Sequence, residues 1–93
     1  MINGNVTEFL NLLYSGEELF FEYKGNKYFL QGWSDENSAT MVLDVVADTP
    51  FTGYIWKTTK INIRKCADAF LEAAIWNGED FLRIENEVVW VDW

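Results

Sequence analysis

The 93-residue chain contains no histidine, one cysteine and one proline. Each absence removes a class of chemistry. Without His there is no Ser-His or Cys-His nucleophile pair, and the commonest general base and zinc ligand are missing. Cys66 stands alone, so no intrachain disulfide and no Cys cluster for zinc or iron–sulfur can form. The fold must then rest on its core, which suits a reducing cytosol, and a cytoplasmic location is expected. Neither GxGxxG nor GxxxxGK[ST] occurs, and no D-x-[DN]-x-[DN]-G calcium loop is present. No cofactor, metal site or catalytic residue is expected. The segment Met1-Ile2-Asn3-Gly4-Asn5 lacks the basic run and apolar stretch of a signal peptide. No apolar run approaches the ~18 residues of a membrane helix.

Positive charge is also scarce. Seven Lys and Arg face fifteen Asp and Glu, for a net charge of −8. Such an excess repels phosphate backbones and attracts basic surfaces, which argues against a nucleic-acid partner and for a basic protein. The charges are sorted along the chain. Lys57, Lys60, Arg64 and Lys65 form one basic corner near Trp56, read here as a solvated loop. The first 22 residues carry Glu8, Glu17, Glu18 and Glu22 with no base. Glu79, Asp80, Glu85, Glu87 and Asp92 are offset near the end by Arg83 alone.

Apolar and aromatic side chains are abundant. They make up 49% and 17% of the chain, with five Trp, enough for one domain over residues 1–93 to build a core. Val6, Phe9, Leu10 and Leu13 recur at helical spacing and predict a helix over 5–15, capped by Asn5 with Glu8 and stopped at Gly16. Residues 18–33 predict a hairpin around Gly25-Asn26, pairing Lys24 with Lys27, Tyr23 with Tyr28 and Phe21 with Leu30. Its core face carries Leu19, Phe21, Tyr23, Tyr28 and Leu30. A third strand is expected over 39–47, broken by Asp48-Thr49-Pro50, and a fourth from Tyr54 to Thr59 after Gly53.

A second helix is predicted over 64–76, with a stripe through Ala67, Phe70, Leu71, Ala74 and Ile75 and an Arg64–Asp68 pair, ending at Asn77-Gly78. Asp80 is placed to cap a short turn over 81–85, and residues 88–93 read as a closing strand. The order α-β-β-β-β-α-β predicts an α+β fold: an antiparallel sheet of four to five strands with two main helices on one face.

Three groups of residues are candidates for function. Cys66, beside Arg64 and Lys65, is read as a small buried hydrophobe, not a reactive thiol. The carboxylate pairs Glu17-Glu18, Asp35-Glu36 and Glu79-Asp80 fall at turns, where neighbours diverge, and read as solvated. The aromatics Trp33, Trp56, Trp90, Trp93, Phe20 and Phe29 exceed what one small sheet face hides, and Trp76 projects from the stripe of the second helix. Aromatic anchors among acids describe a protein-binding surface. Its expected residues are Trp33, Trp76, Glu79, Asp80, Glu85 and Glu87.

The segments FLNLLYSGEELFFEYKGNKYFLQGW, YIWKTT, AFLEAAIWNGEDF and EVVWVDW resemble small acidic bacterial proteins of uncharacterised function. The resemblance implies a bacterial cytosolic source and transfers no site. The expected function is a non-enzymatic, protein-binding module of immunity-protein, antitoxin or inhibitor type. The alternatives are a self-associating accessory domain, as a homodimer, and a small-molecule-binding enzyme with a pocket between sheet and helices.

Overall fold

The computed structural model describes residues 1–46 and 54–91. The elements follow in the expected order: α1 (Val6–Tyr14), β1 (Leu19–Tyr23), β2 (Asn26–Ser34), β3 (Ala39–Val46), β4 (Trp56–Lys60), α2 (Ile63–Glu72), α3 (Phe81–Ile84) and β5 (Val89–Val91). A 3-10 turn, Glu85–Glu87, joins α3 to β5. All five strands pair antiparallel in one sheet of order β4-β3-β2-β1-β5, so the fold is α+β. The breaks expected at Asp48-Thr49-Pro50 and Gly53, the end of the third strand at Ala47, and Asp92 and Trp93 all lie outside the described residues.

Local chemistry sets the element ends. The Asn5 side chain accepts hydrogen bonds from the backbone N–H groups of Thr7 and Glu8, which caps α1. At the other end Gly16 takes φ +75°, with its N–H on the Leu13 carbonyl and that of Glu17 on the Leu12 carbonyl, a Schellman stop. Asn62 caps α2 through the Lys65 N–H, and Asp80 caps α3 through the Arg83 N–H.

The core lies between the sheet and the helices and is built largely from rings. Phe9, Phe21, Phe70 and Phe81 are fully buried. Phe9 stacks on Phe81 at 5.1 Å between centroids, and Phe21 meets Phe9 edge-on at 6.0 Å. Leu19, Leu30, Met41 and Leu43 close the core from the sheet side. Val42, also buried, belongs to the opposite sheet face and stands outside that cluster.

Four expectations are corrected. The hairpin turn is Lys24-Gly25, with φ +50° and +81°, so Phe21 faces Tyr28 and Leu19 faces Leu30. A two-residue turn of this twist needs positive φ at both central positions, and Lys24-Gly25 supply it. The shift is two residues, so every side chain keeps its predicted face.

The second helix stops at Glu72, because Ala73 turns to extended backbone at ψ 125°. Trp76 therefore sits on no helix. It starts a tight turn through Asn77 and Gly78, both at positive φ, and its ring is buried, 7% exposed, against Phe70, Tyr28 and Phe81. Asp68, expected to pair with Arg64, instead accepts a 2.6 Å hydrogen bond from the Tyr14 hydroxyl, while the Arg64 guanidinium lies 5.4 Å from the Tyr14 ring centre. That clasp ties α1 to α2.

Candidate functional site

An open groove of about 970 Å³ lies between α1 and the β1–β5 edge of the sheet. One wall is a face of α1, where Glu8 and Leu12 stand one turn apart, continued by Gly16 just past the helix end. The Schellman turn after α1 then directs the chain so that Glu17 and Glu18 form the end of the groove before β1 begins. Opposite stand Leu19, Phe20, Trp90 and Val91, with Asn3 and Gly4 at the rim.

Hydrogen bonds and close packing hold the groove's N-terminal side. The N-terminal segment pairs with β5: the Ile2 N–H donates to the Val88 carbonyl at 2.8 Å and the Trp90 N–H donates to the Ile2 carbonyl at 2.9 Å. Gly4 then lies directly on the Trp90 ring; a Cβ there would fall 2.3 Å from Cε3. Phe9 meets the same indole edge-on at 5.4 Å. The Met1 ammonium closes the arrangement on Glu85 Oε2 at 3.0 Å.

Three glutamates and no Lys or Arg line the groove. Leu12, Leu19, Phe20, Trp90 and Val91 add apolar side chains beside those carboxylates. No group of three or more His, Cys, Asp or Glu among the described residues is placed to hold a metal ion.

The residues expected at the site separate. Trp33 is exposed at the far end of β2, 42% accessible. Trp76 is a core residue, which corrects its expected surface role; the Ala-rich pattern after Phe70 suggested a helix that the chain does not continue. Glu79 and Glu87 are exposed, Asp80 caps α3 and Glu85 holds the N-terminus. A smaller cavity of about 460 Å³ lies between the Lys24-Gly25 and Asn77-Gly78 turns, lined by Tyr23, Tyr28, Trp76 and Glu79 among others. Trp76 Nε1 is buried there without a hydrogen-bond partner among the described residues, and so closed to a ligand.

Cys66 is fully buried and its thiol donates to the Ala39 carbonyl at 3.4 Å. Burial pushes the thiol pKa up, against a smaller opposing effect from Lys60, so the neutral form is held. Trp56, near the basic corner, turns its ring into the core against Phe70 at 5.5 Å.

Sequence reasoning missed the groove. Its glutamates were visible as residues and the Gly16 stop brings them together locally, but the opposite wall depends on β5 and the N-terminal segment docking beside β1, a long-range event with no local signature. No helix of the described residues is long and apolar enough to cross a membrane. Comparison with known proteins finds no matching family model, no matching curated protein and no matching solved structure.

Proposed function

We propose that the protein is a non-enzymatic binding module of immunity-protein, antitoxin or inhibitor type, acting in the cytoplasm, and that it covers a basic surface of another protein with this groove. One observation carries the reading: Glu8 on α1 and Glu17 and Glu18 in the turn just after it meet in one concavity whose lining holds no Lys or Arg. The net charge of −8 adds a long-range field of the same sign, which speeds encounter with a basic partner and opposes nucleic acid.

An arginine- and leucine-containing peptide, read by fluorescence anisotropy, tests this. Replacing Glu8, Glu17 and Glu18 with Gln should weaken binding by roughly tenfold or more, the order expected when close charge pairs are lost. Replacing Glu36, Glu72 and Glu79, exposed elsewhere, makes the same change in net charge and should cost far less. Equal losses for the two triple variants would reduce the effect to bulk charge and remove the groove from the account. Submicromolar binding of duplex DNA near physiological salt would also overturn it.

A further inference from the structure

The two edges of the sheet differ. On the β5 edge the outward groups are taken: the Val88 carbonyl accepts from the Ile2 N–H, and the Trp90 N–H donates to the Ile2 carbonyl. On the β4 edge the phase of the ladder says which groups point outward. The hairpin closes on Tyr23 and Asn26 around the two-residue turn Lys24-Gly25, and such a turn closes on a hydrogen-bonded pair. Bonded and non-bonded pairs alternate from there, each residue turning both backbone groups to one side. Carried through the registers of β2 and β3, the alternation directs Trp56, Thr58 and Lys60 toward β3 and leaves the N–H and C=O groups of Lys57 and Thr59 on the open edge. Run the other way through β1, it turns Trp90 outward on β5, as its bond to Ile2 requires. Among the described residues no backbone group meets Lys57 or Thr59 on the outer side, and both residues are exposed.

The charge along this edge is opposite in sign to that of the rest of the molecule. Residues 54–67 carry Lys57, Lys60, Arg64 and Lys65 and no acid, within a chain of −8. Arg64 turns to the Tyr14 ring, while Lys57 and Lys60 are exposed along β4 and Lys65 is exposed in the first turn of α2. Ile55 and Ile61 bracket the strand at 48% and 75% exposed.

We propose that β4 takes an extended acidic segment of a partner protein as an added strand. Lys57 and Thr59 offer two donors and two acceptors, so main-chain bonding sets the register, and Asp or Glu beside Lys57 and Lys60 sets the choice of partner. Lysine on an edge guards against wrong pairing. Two β4 edges brought together would gather Lys57 and Lys60 of both copies, so the same residues turn away a second copy and admit an acid. Apolar residues at the ends of the segment would cover Ile55 and Ile61. The groove, at the opposite edge of the sheet, is left to the basic partner.

Short capped peptides alternating Val with Glu, and Val with Lys, test the proposal by amide exchange in the intact protein. At saturation the Glu peptide should slow exchange at the Lys57 and Thr59 amides by about tenfold or more and leave that at Trp90 unchanged. Lys57→Glu with Lys60→Glu, at exposed positions, should weaken its binding by about tenfold, and so should raising NaCl from about 0.05 to about 0.5 M. N-methylation of alternate peptide amides separates strand addition from charge alone. One set removes the donors aimed at β4 and should abolish binding; the other set points away and should cost little. Replacing Glu8, Glu17 and Glu18 with Gln should leave the Glu peptide bound, so the edge and the groove are tested apart. No binding of the Glu peptide, equal binding of the Lys peptide, or N-methylated sets that bind alike overturns the proposal. Protection of Lys57 and Thr59 that grows with chain concentration in the absence of peptide also overturns it, and assigns the edge to a second copy.

Discussion

Asp44 stands opposite Phe29 on the sheet face turned away from the helices, and desolvation alone raises its carboxyl pKa above the ordinary value. The sign of the linkage follows. A folded pKa above the unfolded one means that the folded state holds the proton more tightly. The ionised form therefore costs stability at neutral pH, and that cost disappears as pH falls through the raised pKa toward the unfolded value. Asp44→Asn removes the ionisation. The variant should melt above the parent at pH 7, and the difference should shrink as pH falls through the raised pKa and be gone below about 4, where the parent carboxyl is protonated in both states. Thermal melts of both proteins across that range decide the matter; a difference that stays constant with pH sinks the explanation.

At the scale of elements, the N-terminal segment acts as a sixth, one-residue strand that covers β5 and braces the groove. Its weak point is Gly4. An added Cβ would lie 2.3 Å from Trp90 Cε3, and the ring has little room to retreat because Phe9 packs against it edge-on. Gly4→Ala should cost about 1–3 kcal/mol, the usual penalty of overpacking. Amide exchange should show the Trp90 N–H, bonded to the Ile2 carbonyl, losing protection more than the core amides of β2 and β3. Unchanged protection at Trp90 would mean that the segment does not depend on this close approach.

Local signals explain which elements were legible. The Asn5 and Asp80 caps and the Gly16 stop are each written in a few adjacent residues, and they stand where the spacing put them. The hairpin faces were readable because side chains alternate with period two, and a slip of two leaves the faces intact. The turn itself was not, since Lys24-Gly25 and Gly25-Asn26 both contain the glycine. Leu71, placed on the stripe of the second helix, is half-buried, and so is Val89, which stands opposite Glu22 on the sheet face away from the core while its neighbour Trp90 packs against the core. Trp76 failed for a tertiary reason: its indole fills space left among Phe70, Phe81 and Tyr28, and that demand overrides a helical pattern.

At the scale of the whole molecule, the acids among the described residues are gathered but seldom neutralised. Among the described residues one ion pair lies within 4 Å, Met1 with Glu85. Glu8, Glu17 and Glu18 meet in one groove, which concentrates repulsion at the place proposed for a partner. Such a molecule holds together through its aromatic core against its own field, and salt should help it. Melting temperature at pH 7 should rise by about 4–8 °C between low salt and ~0.5 M NaCl if screening relieves on the order of 1 kcal/mol, given the unfolding entropy of a domain this size. Sodium chloride is the salt to use, since sulfate would strengthen apolar burial by itself. The protein should be dilute, so that self-association adds nothing. Adding an arginine-rich peptide at low salt should produce the same direction of shift, because a ligand that binds the folded groove neutralises it and is lost on unfolding. A melting temperature that falls with NaCl would mean that favourable ion pairs dominate, and the groove would then hold no unspent repulsion for a basic partner to relieve.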